Sequence, residues 1–247
     1  MKLVLADATY LKDSIGVISE LVTEARFNVS RDGMEMIAMD PANVAMVIFK
    51  LLAPCFMEFE LDTPEDMTIN LASLKQVLRR ASPADILTLT KEEAQLKIQL
   101  RGKSTRTFSL PLLDTDQREQ KIPNLTFPLN IEMPSAVLSG AIEDGSIFSE
   151  AVSFSCDKDK FNIHGEGDSS KATIEMRSGD EAKIKSSSTA NVKAKYSVEY
   201  LKKIINGAKL AENVQIQFNQ DYPLRIDYTV MDRLQLSFIL APRVEND

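Results

Sequence analysis

The 247-residue sequence predicts an α+β fold laid down twice in one chain, and three observations carry that prediction. Matched residues recur at a nearly constant distance, strand and helix periods follow in the same order in both halves, and a bias of charge repeats with them. Ala25 in ARFNVSRDGMEMIAMD aligns with Ala151 in AVSFSCDKDKFNIHGEG at a spacing of 126. Leu74, Lys75, Val77, Leu78 and Ala81 align with Leu201, Lys202, Ile204, Ile205 and Ala208 at 127, and Leu96, Ile98 and Leu100 with Leu224, Ile226 and Tyr228 at 128. Such small drift between like apolar patterns marks one supersecondary plan used twice. The expected organisation is a first domain over 1–114, a connector over 115–127 and a second domain over 128–247, each domain of ordinary size.

The elements follow from the periods. Thr9 to Val22 sets Leu11, Ile15, Ile18 and Val22 at helical spacing, which predicts the first helix. Asp32-Gly33 reads as a hairpin turn between Phe27–Val29 and Met34–Met36, and Asp157, Lys158 and Asp159 are its counterpart. A second helix is expected over Ala72 to Ala81. A third starts at Pro134-Ser135 with Leu138, Ala141 and Ile142. The fourth follows Ser197, a candidate N-cap, and carries Val198, Leu201, Ile204, Ile205 and Ala208 on one stripe with Gly207 near its end. Residues 214–218, 224–228 and 234–238 alternate apolar with polar, as half-buried antiparallel strands do. Each half is then expected to be a sheet covered on one side by two helices. The connector keeps Ile122 and Leu125 around Pro123, which predicts an extended segment with apolar points.

Composition narrows the function. The chain is 44% apolar, with only ten Pro and nine Gly, so each half can build a core and no long disordered stretch is expected. No apolar run approaches the length of a membrane span and no basic-then-apolar leader is visible, which predicts an intracellular soluble protein. Cys55 and Cys156 are unclustered, which predicts reduced, buried thiols rather than a disulfide framework or a metal site. The net charge of −7 argues against a uniformly basic nucleic-acid binder.

Positive charge is nevertheless concentrated. Lys75, Arg79 and Arg80 fall off the apolar stripe of the second helix, which has no acidic residue. Lys202 and Lys203 lie off the stripe of the fourth, with Lys209 at its end. The other two helices differ: Lys12 is set against Asp13 and Glu20, and Glu143 and Asp144 have no basic neighbour. A solvated polar face explains any one such helix. Two repeat-related helices with the same bias on an acidic chain point instead to a shared anionic partner such as phosphate backbone. Without Trp or interleaved aromatics, the expected contact is with duplex DNA regardless of sequence.

Nothing in the sequence points to catalysis or a cofactor. Gly165-Glu-Gly167 lacks the third glycine and following helix of a dinucleotide site. His164, the sole histidine, has no nearby nucleophile motif. Asp114-Thr-Asp116 and the aspartates at 157 and 159 fit loop and turn chemistry as well as metal binding. The expectation is a protein that is not an enzyme.

Four segments carry a family resemblance: GMEMIAMDPANV from Gly33 to Val44, LKQVLR from Leu74 to Arg79, RTFSLPLLD from Arg106 to Asp114, and LAPRVE from Leu240 to Glu245. In these, in order and from end to end, the chain resembles the sliding clamps of the proliferating cell nuclear antigen family in their archaeal form. The resemblance implies the DNA clamp fold, a homotrimeric ring with helices lining a central channel, and duplex DNA passing through it. On that basis Lys12, Lys75, Arg79, Arg80, Lys202, Lys203 and Lys209 would face phosphates. Client peptides of DNA polymerase, clamp loader, flap endonuclease and DNA ligase would enter a pocket of Met39, Val44, Ile122, Pro123, Pro223, Ile239 and Ala241, serving replication and repair. Ring closure would pair Thr107, Phe108, Ser109 and Leu110 of one subunit with Lys171, Thr173, Ile174 and Met176 of the next. In an archaeal cell such a clamp would be cytoplasmic and associated with the nucleoid. The chain departs from the family in its acidic third helix and in Gln120 and Lys121 on the connector. A heterotrimer subunit, or a scaffold that does not encircle DNA, is the alternative.

Overall fold

In the computed structural model, which describes residues 1–114, 120–157, 159–179, 182–187 and 191–243, the duplication takes the form of two sets of nine strands and two helices. The first set is β1 (Lys2–Leu5), α1 (Thr9–Ile18), β2 (Glu24–Ser30), β3 (Gly33–Met39), β4 (Ala45–Leu52), β5 (Glu58–Glu60), β6 (Glu65–Asn70), α2 (Leu71–Leu78), β7 (Ile86–Glu92), β8 (Gln95–Arg101) and β9 (Thr105–Pro111). The second is β10 (Leu129–Pro134), α3 (Ser135–Gly145), β11 (Ala151–Asp157), β12 (Lys160–Glu166), β13 (Lys171–Arg177), β14 (Lys183–Ser186), β15 (Val192–Ser197), α4 (Val198–Ile204), β16 (Asn213–Gln217), β17 (Leu224–Val230) and β18 (Leu234–Leu240). Residues 115–119 of the connector, including Asp116, lie outside the described residues, as do Lys158 of the second hairpin turn and Val244 and Glu245 of the closing segment.

Strand order repeats with the sequence. The arrays β5-β1-β7-β8-β9 and β6-β2-β3-β4 of the first set become β14-β10-β16-β17-β18 and β15-β11-β12-β13 in the second, every label raised by nine. The single sheet expected in each half is thus two short antiparallel arrays, which lets each turn an apolar face inward. One unit comprises Met1–Ala42, Val47–Ile122 and Val230–Leu236, and the other Asn43–Met46, Pro123–Thr229 and Ser237–Asp247.

Local chemistry explains where the helices differ from their predicted lengths. The first was expected to reach Val22 but ends at Ile18, whose carbonyl accepts both Leu21 N–H at 2.9 Å and Val22 N–H at 3.0 Å. That tightened turn still buries Leu21 and Val22. In α2, Asn70 is the N-cap, its side-chain oxygen accepting from Ser73 N–H at 3.0 Å. The helix then buries Leu71, Leu74, Val77 and Leu78, side chains worth roughly 1.5–3 kcal/mol each when fully removed from water. Ser197, expected to cap the fourth helix, makes no capping side-chain bond. That helix is also shorter than predicted, ending at Ile204 and tightening into a 3-10 turn over Ile205–Lys209. Asn206 Nδ2 donates back to Lys202 O at 2.9 Å. Gly207 lies so close to Tyr228 that a Cβ there would sit 2.5 Å from its ring.

At the first hairpin, Gly33 pairs with Ser30, leaving Arg31 and Asp32 as the loop. Gly33 has φ +137° and its missing Cβ would lie 2.1 Å from Leu51 O, so only glycine fits. The second unit has an aromatic core, with Phe154 edge-on to Phe161, Tyr196 and Phe218 at 5.4, 5.3 and 6.0 Å between ring centroids. Cys156 is buried there, and its desolvation pushes the thiol up to about 11. Cys55 is only half-buried, contrary to expectation, with Sγ 3.3 Å from Arg233 O.

Candidate nucleic-acid interface and docking surface

The basic residues of α2 and α4 divide into held and open groups. Lys75 pairs with Glu20, just past α1, at 2.5 Å, and Lys203 pairs with Glu199 one turn earlier at 2.8 Å. Lys203 Nζ also stands 5.4 Å from the centroid of the Tyr200 ring. Lys12 donates to Ala81 O at 3.0 Å, tying α1 to the end of the α2 segment. Arg79, Arg80, Lys202 and Lys209 are exposed. Among the described residues, Arg79, Arg80 and Lys202 have no carboxylate partner. Half-exposed pairs such as Lys75–Glu20 and Lys203–Glu199 contribute little and are screened by salt, so a phosphate can replace the carboxylate in either.

The arginine end of α2 is held by contacts that residue type and spacing do not reveal. Arg106 on β9 donates from Nη1 to Arg80 O at 2.9 Å and from Nη2 to Asp85 Oδ2 at 2.5 Å, and Ser82 N–H donates to the same carboxylate at 2.7 Å. Asp85 is 3% exposed. Gly102 makes room for it, since a Cβ there would lie 2.1 Å from Asp85 Oδ1. The Ser82 backbone hydrogen bond, and after it the Arg106 guanidinium, hold Asp85 below the ordinary value of 3.8 despite its burial. The folded state therefore binds this proton less readily than the unfolded chain. The stability it gives is complete above the ordinary carboxyl range and is lost as pH falls through the lower, folded value. Asp85→Asn should lower Tm at neutral pH, and the gap to the parent should close steadily below about pH 4. Thermal melts at half-unit pH steps read this directly, and a gap independent of pH would remove Asp85 as the cause.

The predicted docking residues are distributed over both units. In the second, Ala241 N–H donates to Val44 O at 2.9 Å, and Arg243 N–H donates to Lys195 O at 2.7 Å. Val44, Ala241 and Pro242 line a cavity of about 810 Å³ with Ser197, Tyr200 and Lys202. Ile239 is buried and Pro223 half-buried, and neither lines this cavity, whereas Pro123 is exposed. In the first unit Met39 is half-buried at the end of β3 and Ile122 is 43% exposed.

Among the described residues the two predicted edges each have one strand neighbour, β8 for β9 and β12 for β13. Thr107 and Ser109 are exposed and Phe108 and Leu110 half-buried. On β13, Lys171 and Thr173 are exposed and Ile174 is half-buried. Met176 is 2% exposed, so its side chain belongs to its own core and it can offer a neighbour only backbone. His164 contacts Thr173 Oγ1 through Nδ1 at 2.8 Å, the partner directly across from it in the β12–β13 register. Among the described residues no three His, Cys, Asp or Glu side chains converge as a metal site would require. Among these residues no helix is long and apolar enough to cross a membrane.

Comparison with known proteins covers nearly the whole chain. The family model described as the N-terminal domain of proliferating cell nuclear antigen matches residues 1–119, and that of the C-terminal domain matches 121–243. The DNA polymerase sliding clamp of Pyrococcus furiosus is 34% identical over 232 residues, covering 94% of this chain and 93% of that protein. That of Thermococcus gammatolerans is 33% identical over 245 residues, covering 99% and 98%. A crystal structure of PCNA from Thermococcus kodakaraensis superimposes with a TM-score of 0.91 at 28% identity, over 98% of this chain and 99% of that one.

Proposed function

The chain belongs to the proliferating cell nuclear antigen family, and from that premise we propose that it is a DNA polymerase sliding clamp. It acts as a homotrimeric ring around duplex DNA and holds replication and repair enzymes there through their client peptides, with no catalysis of its own. The observation that carries this reading is the end-to-end match to archaeal sliding clamps, in which both repeats take part.

Physical features support the finer parts. The open cations Arg79, Arg80 and Lys202 occupy equivalent helices of the two repeats on a chain of net −7, so the attractive charge is segregated. Few, exposed, salt-screened contacts suit a ring that slides, because closure of the ring rather than affinity keeps it on the duplex. Trimer formation is supported by the edges. β9 and β13 end their arrays, whereas their repeat counterparts β18 and β4 both have backbone bonds at their ends, Ala241 N–H to Val44 O and Leu52 N–H to Arg233 O. Pairing β9 with β13 of another copy gives these strands what their counterparts already have, and removes two edges that invite aggregation. DNA polymerase, clamp loader, flap endonuclease and DNA ligase would share the cavity beside Val44 and Ala241, each inserting a helical turn with aromatic anchors.

Light scattering over a concentration series tests the ring first. A mass near three times 27.5 kDa that persists on dilution is expected. A mass that stays at one subunit would overturn the homotrimer and leave a heteromeric ring or a monomeric scaffold.

A further inference from the structure

A second cavity of about 530 Å³ adjoins the first within the same unit and shares Ser149, Pro242 and Arg243 with it. The segment after β18 is the ridge between them, held by the Ala241 and Arg243 backbone bonds to Val44 and Lys195. The two cavities differ in charge. The larger has Glu150 and Glu199 against Lys202 and Arg243, an even balance. In the smaller, Lys193, Lys195 and Arg243 face Glu166 and Asp221, with His164 beside them. Both acids there have neighbours: Glu166 stands 3.6 Å from His164 Nε2, and Asp221 accepts from Gln220 Nε2 at 2.7 Å. Lys193 and Arg243 are exposed. By formal charge the cavity has three cations against two acids, an excess of positive charge on a chain of net −7.

We infer that this cavity is a specificity site for the flank of a client peptide, and that it selects flanks rich in Asp or Glu. The inference rests on the reading of the larger cavity as a client pocket. A chain that fills the larger cavity and continues across the Pro242–Arg243 ridge enters the smaller one, where carboxylates meet Lys193, Lys195 and Arg243. The net −7 of the protein attracts basic clients at long range. Beside the client pocket, short-range charge works the other way, so the site distinguishes among clients that share the same aromatic anchors.

The test uses the intact oligomer and synthetic peptides that carry one helical turn with two aromatic anchors. Three-residue runs of Glu, Gln or Lys are placed on the amino side of the turn in one set and on the carboxyl side in another. Calorimetry is run at low and at physiological salt. On one of the two sides, the Glu peptide should bind about fivefold tighter than the Gln peptide, the size expected of two or three exposed ion pairs. The Lys peptide should bind more weakly than either, and the spread should narrow with salt. In the Lys193→Gln, Lys195→Gln double variant the Glu advantage should shrink while Gln-peptide binding stays unchanged, and in Arg243→Gln, which lines both cavities, the ratio of Glu- to Gln-peptide affinity should fall. Equal binding of Glu and Gln peptides on both sides, or a Glu advantage that survives all three substitutions, overturns this inference alone. Failure of every peptide to bind overturns the client-pocket reading and this inference with it.

Discussion

Gly165→Ala is expected to destabilise the second unit by about 3 kcal/mol, the upper end of overpacking costs, because the collision is between two backbones. A Cβ at Gly165 would lie 1.8 Å from Gly145 O and 2.9 Å from its carbonyl carbon. No side chain can turn aside to relieve this. Nor can the strand retreat, since Gly165 is registered against Val152 on β11 and Ala172 on β13. The helix is equally confined: a Cβ on Gly145 would already be 3.1 Å from Ile163 Cγ2 and 3.3 Å from Val152 Cγ1. The end of α3 and the end of β12 are thus in contact through two glycines, and one methyl must force a helix from a sheet. Urea melts should show a lower midpoint with little change in slope. Since β13 pairs with the displaced strand, oligomer mass should also fall at concentrations where the parent is intact. A stability within 1 kcal/mol of the parent would mean that α3 shifts freely, contrary to the packing described.

Arg79→Gln, Arg80→Gln and Lys202→Gln together should weaken duplex binding at low salt by more than tenfold and make its salt dependence shallower. Each lost phosphate contact removes about 0.9 from the slope of log K against log salt, so about 2 to 3 is expected for one subunit's worth of contacts. Folding should be unaffected, since the three side chains are exposed and have no carboxylate partner among the described residues. Lys75 and Lys203 make the useful contrast. Both are engaged with carboxylates, and replacing them should have a smaller effect on DNA binding because part of their charge is already balanced. If the triple variant has the parent's slope, these helices do not face phosphate.

Periodicity is what made the fold legible. Leu74, Val77, Leu78 and their partners Leu201, Ile204 and Ile205 are buried as the stripes require, because a helix packed by one face must repeat its apolar residues near 3.6. The basic faces were legible for the same reason, since solvent-facing positions are whatever the stripe leaves over. Contacts between elements far apart in sequence were not. Arg106 reaches Asp85 and the carbonyl of Arg80 across a β-hairpin, and nothing in RTFSL distinguishes that arginine from one in solvent. Family resemblance places Met176 on an interface strand, yet its side chain is buried in its own unit, because position in a motif fixes the strand and not the depth of each side chain.

The sequence by itself determined that this chain is one plan used twice, which helices are basic, and which family it resembles. All three are carried by residue type and spacing along the chain, which survive without coordinates. Only the tertiary structure decided which cations are already paired, that Gly145 and Gly165 meet, and that Lys193, Lys195 and Arg243 share a cavity beside Ala241. Those facts depend on the distance in space between residues far apart in the chain. That distance is set by strand register and helix seating, in which the many small terms of packing combine.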